Sequence, residues 1–291
     1  MLLFFSCKRD PEIILDNEAP YYGEIPTILL ENYVNRLYID LIGREPLDDE
    51  MLNDVQYLRD ANVTIESRDS LIYKLQFDTA YVEGDSSYKF AYFHRTYEML
   101  KVRLLEGASN AYISQDLGNW WNGYVNDSLN NDLLSANKKL LEFNILNAVL
   151  ESELDYYHGE IGINEVHRRM IYNSVYDKIN MNTFNFINAA FDNLLYRYPT
   201  QFEFDQTYIM INDNTSQVVL GASGNNKQDF TNIICNSRSF YEGVIIWNYR
   251  TLLARDPSAQ ELDFLMQNLY MDHDMQWVQR RIMETDEYAH F

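Results

Sequence analysis

One pattern occurs three times in this chain and sets its architecture. In each copy a proline has an aromatic residue eight positions before it, an arginine two positions before it and a glutamate four positions after it. The matching residues are Tyr38, Arg44, Pro46 and Glu50; Phe191, Arg197, Pro199 and Glu203; and Tyr249, Arg255, Pro257 and Glu261. Repetition of this kind indicates a recurring supersecondary unit. The pattern constrains the fold much more than it constrains the chemistry.

The residues around each proline predict a helix, a turn and a second helix. Apolar residues at helical spacing precede the proline, and the helix must end just before it because the ring disfavours a helical conformation in the preceding residue. In two copies the next helix begins with a capping box, Thr200 with Glu203 and Ser258 with Glu261, in which hydroxyl and carboxylate accept hydrogen bonds from free amides of the first turn. Each copy is therefore expected to be a helix-turn-helix.

The first copy departs from the capping box because Leu47 stands at the cap position. We expect Asp48 or Asp49 to cap the helix instead. In all three copies we expect the arginine to bond the C-terminal carbonyls of the first helix and the glutamate to cap the second.

A second element follows each unit at a variable distance, with the same spacing of four, three and three residues. The pattern is two apolar residues one turn apart, then a small polar or acidic residue, then an aromatic residue. It predicts the buried face of a helix, followed by the exit segment in which the chain leaves that helix. The residues are Leu71, Leu75, Asp78 and Tyr81; Phe230, Ile234, Ser237 and Phe240; and Val278, Ile282, Thr285 and Tyr288.

The third copy, from Val244 to Phe291, carries a recognisable combination of these features. An aromatic-led helix, an arginine before a proline and a late Thr-x-x-Tyr make it resemble the helical module of phycobilisome linker polypeptides. It is also similar to a module of unknown function in many bacterial surface proteins. The first copy, with LYIDLIGREP, resembles a module found beside cytochrome-like domains in large bacterial proteins. These resemblances cover about half of the chain and imply an all-helical interaction module, without catalytic residues and without the pigment-protein partners of the linkers.

Composition favours the same fold class. Only 11 glycines and 6 prolines occur in 291 residues, below the average usage of roughly 7% and 5%. The chain is predicted to be all-α, a multi-helix bundle built from repeated helix-turn-helix units with an inserted helical segment. We place the first repeat at residues 27–84, the insert at 85–187, the second repeat at 188–243 and the third at 244–291. Within the insert we expect helices over residues 88–106 and 128–154 and one through Val166 and Ile179, with Leu134, Leu141, Ile145 and Ala148 on one face.

Charge narrows the set of partners. The chain has 23 basic and 44 acidic residues and a formal charge of −21, which disfavours binding to nucleic acid. No stretch fits the calcium loop, because MDHDM from Met271 to Met275 lacks the turn glycine. The five histidines have no common zinc spacing, and no phosphate loop, haem attachment or dinucleotide motif occurs. We therefore expect no cofactor, no metal and no catalytic residues.

The first seven residues, MLLFFSC, resemble the end of a bacterial lipoprotein signal peptide, in which Cys7 becomes the lipidated residue. The basic n-region and most of the apolar core are missing, so we expect the start codon to be assigned too late. An ordinary apolar N-terminus is the alternative. On the lipoprotein interpretation, residues 1–7 are the signal end and residues 8–26 a tether to the membrane. Cys235 lies on an amphipathic helix, and we expect a buried, inert thiol.

Two segments are candidate binding loops. GNWWNGY places Trp120, Trp121 and Tyr124 among asparagines and glycines, a composition found where aromatic faces meet sugars or peptides. The alternative is that one or both tryptophans pack in the core. The second segment runs from Asn212 to Asp229, and Val218 to Leu220 is a candidate short strand in it.

The function expected from these features is that of a non-catalytic cell-envelope lipoprotein, a scaffold or protein-binding module on the periplasmic or outer-membrane face. Its expected partner is an envelope protein, and the lipid anchor is its expected contact with the membrane. The alternative is a carbohydrate-binding or carbohydrate-processing surface protein that uses the tryptophan segment.

Overall fold

The computed structural model describes residues 25–291, and within them it is all-α, as predicted. Fifteen helices and one two-stranded hairpin make up this part of the chain. They are α1 (Thr27–Ile42), α2 (Asp48–Asp60), α3 (Ile65–Phe77), α4 (Tyr88–Leu104), α5 (Asn110–Leu129), α6 (Leu133–His158), α7 (Ile163–Ile171), α8 (Ser174–Asn180), α9 (Thr183–Leu195), α10 (Gln201–Asn212), β1 (Gln217–Val219), β2 (Ala222–Gly224), α11 (Lys227–Asn236), α12 (Arg238–Leu253), α13 (Ala259–Asp272), α14 (Met275–Met283) and α15 (Asp286–Ala289).

The three copies of the pattern fold alike, as α1 to α3, α9 to α11 and α12 to α14. The first helix of each ends at one left-handed residue directly before the motif arginine. These residues are Gly43 (φ 79°), Tyr196 (φ 53°) and Ala254 (φ 54°). Only glycine adopts this conformation without a steric penalty, so the second and third copies hold it at a cost. The predicted helix-turn-helix units are confirmed.

The exit elements are confirmed in two copies and wrong in the first. Ser237 caps α12 and Thr285 caps α15, and the aromatics three residues later, Phe240 and Tyr288, are fully buried. In the first copy Tyr81 is 81% exposed, because a loop with a bridge between Val82 and Asp85 separates α3 from α4.

One helix is shared between repeats. The predicted boundary between residues 243 and 244 lies inside α12, which leaves the second repeat and also opens the third. Its partner in the second repeat is α9, whose C-terminal end it crosses.

The helices of the insert differ in part from their prediction. The first, α4, lies close to its predicted range, whereas the second, α6, begins five residues late, at Leu133. The residues predicted to share one face of α6 do share it, but Leu134 and Leu141 on that face are 70% and 57% exposed, whereas Leu146 and Val149 are buried. The third predicted helix is two, α7 and α8, since the side chain of Asn173 accepts hydrogen bonds from the amides that open α8.

Neither candidate loop is the open loop that we predicted. GNWWNGY lies inside α5, where its two glycines are tolerated because α5 pairs along its length with α6. The segment 212–229 holds the hairpin of β1 and β2. Its turn residues Leu220 and Gly221 both have positive φ, the geometry that lets a two-residue turn match strand twist.

The first and third repeats pack against each other and bring the two ends of the described chain together. The Tyr33 hydroxyl donates to the backbone carbonyl of Met283 at 3.1 Å, and the Tyr288 hydroxyl donates to Asp40 at 2.8 Å. The buried core is continuous through α1, α4, α9 and α12.

Candidate functional site

The arginine and glutamate of each repeat form a two-pronged ion pair, which we call the clasp. In the first clasp Arg44 Nη1 and Nη2 donate to the two carboxylate oxygens of Glu50 at 2.7 and 2.8 Å. The distances are 2.8 and 2.6 Å for Arg197 and Glu203, and 3.0 and 2.7 Å for Arg255 and Glu261. Paired bonds of this kind hold both geometry and charge.

Each glutamate also caps the second helix, as predicted. Its carboxylate accepts a hydrogen bond from the backbone amide three residues earlier, at Leu47, Thr200 and Ser258, over 2.7 to 2.8 Å. In the second and third copies the hydroxyl of the cap residue accepts a bond in return. Leu47 has no such acceptor, so the first copy keeps only the carboxylate half of the capping box.

Two details of the predicted turn are wrong. Neither Asp48 nor Asp49 caps α2, because Glu50 already reaches the free amide of Leu47. The arginines do not bond the last carbonyls of the first helix either. Each donates instead to the carbonyl of the residue that follows it in the turn, at 3.0 to 3.2 Å, since the left-handed residue redirects the chain before the arginine.

The pKa values of the clasp glutamates fit a structural role. Hydrogen bonds from Arg197 and from the Thr200 amide lower the pKa of Glu203 to about 2, and Arg255 does the same for Glu261. Burial opposes this shift at Glu50, but the bonds from Arg44 and Tyr88 still bring its pKa to about 2. Carboxylates this acidic stay ionised at neutral pH, so they are poorly matched to general acid catalysis.

An aromatic ring lies under each arginine. The guanidinium carbon is 5.6 Å from the ring centre of Tyr38, 5.3 Å from that of Phe191 and 5.0 Å from that of Tyr249 in the three copies. The aromatic residue of the sequence pattern is therefore the base on which the clasp lies.

A third anionic partner completes two of the clasps. Asp85 accepts from Arg44 Nε at 2.7 Å, and Glu287 accepts from Arg255 Nε at 2.6 Å. Within residues 25–291 the second clasp has no acid in this position. The pKa of Arg197 is raised chiefly by its hydrogen bonds with Glu203 and to a lesser extent by the charge of Glu242 in α12. The carboxylate of Glu242 pairs with Arg238 at 3.1 Å.

The structure separates the two tryptophans of the candidate binding segment. Trp120 is partly buried, and its indole donates to Ser174 of α8 at 3.2 Å. Trp121 is 45% exposed, with the rings of Tyr124 and Phe143 at 5.2 and 5.4 Å. Trp120 thus anchors α5, whereas Trp121 and Tyr124 contribute to a small aromatic surface.

The hairpin of α5 and α6 carries an uncovered apolar surface that includes Trp121. Within residues 118–145 the one fully buried side chain is Ala136. The base of the hairpin is held on α8 by Asp116, whose carboxylate pairs with Lys178 at 2.6 Å. Large apolar side chains between 37% and 78% exposed occur on both of its helices: Trp121, Val125, Leu129, Leu133, Leu134 and Leu141. We call this set the hairpin stripe.

A second exposed apolar set escaped the sequence reasoning. Phe184, Tyr198 and Phe202 of the second repeat are 58%, 69% and 68% exposed. A comparison of the aligned repeats residue by residue would have found them, because the other two copies carry no aromatic residue at these positions.

The remaining candidates are accounted for by packing. Cys235 is fully buried as predicted, and burial raises the pKa of its thiol. The residues that the structure describes contain no group of three or more His, Cys, Asp or Glu side chains placed to hold a metal ion. Over the same residues, no helix has the length and hydropathy of a membrane span. Cys7 lies outside the described residues.

Comparison with protein-family models, with curated proteins and with solved structures gave no match to this chain. The assignment of function therefore rests on its own residues.

Proposed function

We propose that this protein is a non-catalytic scaffold that binds another protein through the α5–α6 hairpin. The observation that carries the proposal is the hairpin stripe, six large apolar side chains that are each 37% to 78% exposed. Monomeric soluble proteins rarely leave large exposed apolar surfaces open unless they bind a partner there.

The form of the surface favours a protein as the ligand. Two antiparallel helices that lack a core of their own become a stable bundle when a partner helix or helix pair covers them. The net charge of −21 disfavours nucleic acid and anionic lipid as alternatives. The clasps and the buried core supply rigidity, so the hairpin is held on a firm base.

We further propose that the protein is lipid-anchored in the bacterial cell envelope through Cys7 and that its partner is an envelope protein. This step rests on the sequence MLLFFSC and on the polar stretch that follows it. Residues 8–26 are the proposed tether, and α1, the first helix of the described residues, begins at Thr27. Cys7→Ser, expressed behind a lipoprotein signal peptide, should abolish incorporation of radiolabelled palmitate and release the protein from membranes. Labelling of the variant equal to that of the parent would contradict the anchor.

Photo-crosslinking tests the binding role of the hairpin. A photoreactive phenylalanine analogue is placed at Leu129 or Leu134 of the hairpin stripe, and at Leu52 of α2 as a matched control that is 68% exposed. We expect one discrete crosslinked protein from envelopes at both hairpin positions and none at Leu52. A crosslinking pattern equal at all three positions, or none at the hairpin, would refute the proposal.

A carbohydrate-binding function is the second candidate, favoured by the exposed ring of Trp121 beside Tyr124 and Phe143. Titration of soluble glycans should then quench tryptophan fluorescence in the parent and not in Trp121→Phe, which retains the other three tryptophans. An unchanged emission spectrum with a panel of glycans would exclude carbohydrate binding, and protein binding would remain the one candidate function.

A further inference from the structure

The second repeat has aromatic residues at three solvent-facing positions where its two sisters have acidic residues or glutamine. Where it has Phe184, Tyr198 and Phe202, the first repeat has Glu31, Glu45 and Asp49, and the third has Glu242, Asp256 and Gln260. The buried positions of the same helices, in contrast, stay apolar in nearly every copy, for example Val34, Ile187 and Ile245. The fold of the unit therefore does not require aromatic residues at these exposed sites.

Two of the three aromatic residues are direct sequence neighbours of the clasp of the second repeat. Tyr198 follows Arg197, and Phe202 precedes Glu203. Phe184 and Tyr198 line one open groove of about 420 Å³ together with Asn185, Asn188, Ala189 and Asp192 of α9.

The same clasp is the one without a third anionic partner. In the sister repeats a carboxylate from the exit segment, Asp85 or Glu287, occupies the Nε edge of the arginine. Arg197 has no such partner within residues 25–291, and its side chain is 39% exposed, against 22% for Arg44 and 35% for Arg255. An acidic side chain from outside this unit can take that place.

We propose that the second clasp is a docking site for a protein segment that carries an aspartate or glutamate beside a large apolar side chain. The carboxylate binds the Nε edge of Arg197, as Asp85 and Glu287 do in the sister clasps. The apolar neighbour packs on Tyr198 and Phe202. This gives the protein a second binding surface, separate from the hairpin stripe, and does not depend on what the hairpin binds.

The negative charge of the whole chain and the local positive charge of Arg197 together favour binding of a single acidic residue over binding of an acidic tract. The chain carries a net charge of −21, so a highly charged anion is repelled at long range. At contact, a guanidinium already held by Glu203 offers one further directed hydrogen bond to a carboxylate. Arginine and tyrosine are also among the residues that most often dominate protein interfaces.

The third repeat provides a probe of the required chemistry. A synthetic peptide of residues 285–291, TDEYAHF, with blocked ends, contains Glu287 beside Tyr288. It is titrated into the full-length chain while the side-chain Nε–H signals of the arginines are followed by ¹⁵N NMR, with Arg197→Lys used to assign the signal of Arg197. We expect the Arg197 signal to shift in a saturable manner, while the signals of Arg44 and Arg255 stay in place because their Nε edges are occupied.

Three controls make the test decisive. The same peptide with Glu287→Gln should bind at least fivefold more weakly. The double variant Tyr198→Glu with Phe202→Asp, which installs the residues of the first repeat, should also weaken binding at least fivefold at an unchanged melting temperature. In the chain itself, Glu287→Gln should make the Arg255 signal respond to the unmodified peptide.

Several outcomes would overturn the inference. They are an Arg197 signal that does not move at millimolar peptide, equal binding of the two peptides, or a shift that a neutral glycan produces as well. Leu134→Gln in the hairpin stripe should leave peptide binding intact, so a failure here and a failure of the hairpin crosslink are separate results.

Discussion

Gly243 of α12 lies directly against the carbonyl oxygen of Leu194 in α9: a Cβ atom built on Gly243 would be 2.0 Å from that oxygen. Helix α12, which the second and third repeats share, thus crosses α9 with the two backbones in direct contact. No flexible side chain stands between them that could move aside. The joint between the two repeats depends on this one glycine.

We predict that Gly243→Ala destabilises the protein severely, by about 3 kcal/mol or more, because either α9 or α12 must move to relieve the overlap. Chemical denaturation followed by circular dichroism measures the change. Gly118→Ala in α5 is the matched control, since a Cβ there meets nothing within 4 Å. It should stabilise the protein by about 0.5–1 kcal/mol, the usual gain from alanine over glycine in a helix. Equal effects of the two substitutions would show that the close crossing is not needed.

The second prediction concerns the acid range. The pKa of Glu203 is lowered from 4.5 to about 2 by Arg197 and the Thr200 amide, so its contribution to stability is full above pH 4.5 and is lost as the pH falls toward 2. Glu203→Gln should lower the stability at pH 7 by about 1 kcal/mol, a modest value because solvent partly screens the pair. Near pH 2 the parent and the variant should melt together. A difference that stays constant from pH 7 to pH 2 would mean that the carboxylate charge plays no part.

Much of the repeat architecture was readable from sequence because it depends on local rules. The proline fixes where the first helix must have ended, and the capping glutamate fixes where the second begins, so Thr200 and Ser258 were found as caps. The bidentate form of the clasp was not predicted. In the second and third copies nothing local shows that the residue before the arginine is left-handed, because Tyr196 and Ala254 are not the glycine that usually signals this conformation.

The hairpin shows where periodicity misleads. Leu134, Leu141 and Ile145 do share a helix face, but the structure leaves most of that face to solvent. Spacing identifies an apolar face and cannot say whether the chain itself covers it. The prediction of a loop at the tryptophan segment was wrong for a related reason. Its asparagines and glycines indicate a loop, and only pairing with α6 makes the segment helical.

A third prediction separates surface from core in the hairpin. Leu134→Gln should change the free energy of unfolding by less than about 0.5 kcal/mol, because the side chain is already 70% exposed. It should still reduce crosslinking from the photoreactive residue at Leu129. Leu146→Ala on the same helix should cost about 2–5 kcal/mol, because Leu146 is fully buried. A large loss of stability in Leu134→Gln would indicate that the stripe packs within the chain, and would remove its role as a binding surface.

The fourth prediction tests the left-handed residue that aims each clasp. Ala254 holds a φ of 54°, where a Cβ atom is penalised, so Ala254→Gly should stabilise the protein by up to about 1 kcal/mol. The greater freedom of glycine in the unfolded chain offsets part of this gain. Ala259→Gly, at the exposed first residue of α13, should instead destabilise, by less than the roughly 1 kcal/mol that glycine costs in a helix interior, since there the residue is helical. Thermal melts of the two variants check the opposite signs. If both substitutions destabilise the protein, the prediction is wrong: the left-handed conformation of Ala254 then carries no steric penalty that glycine can relieve.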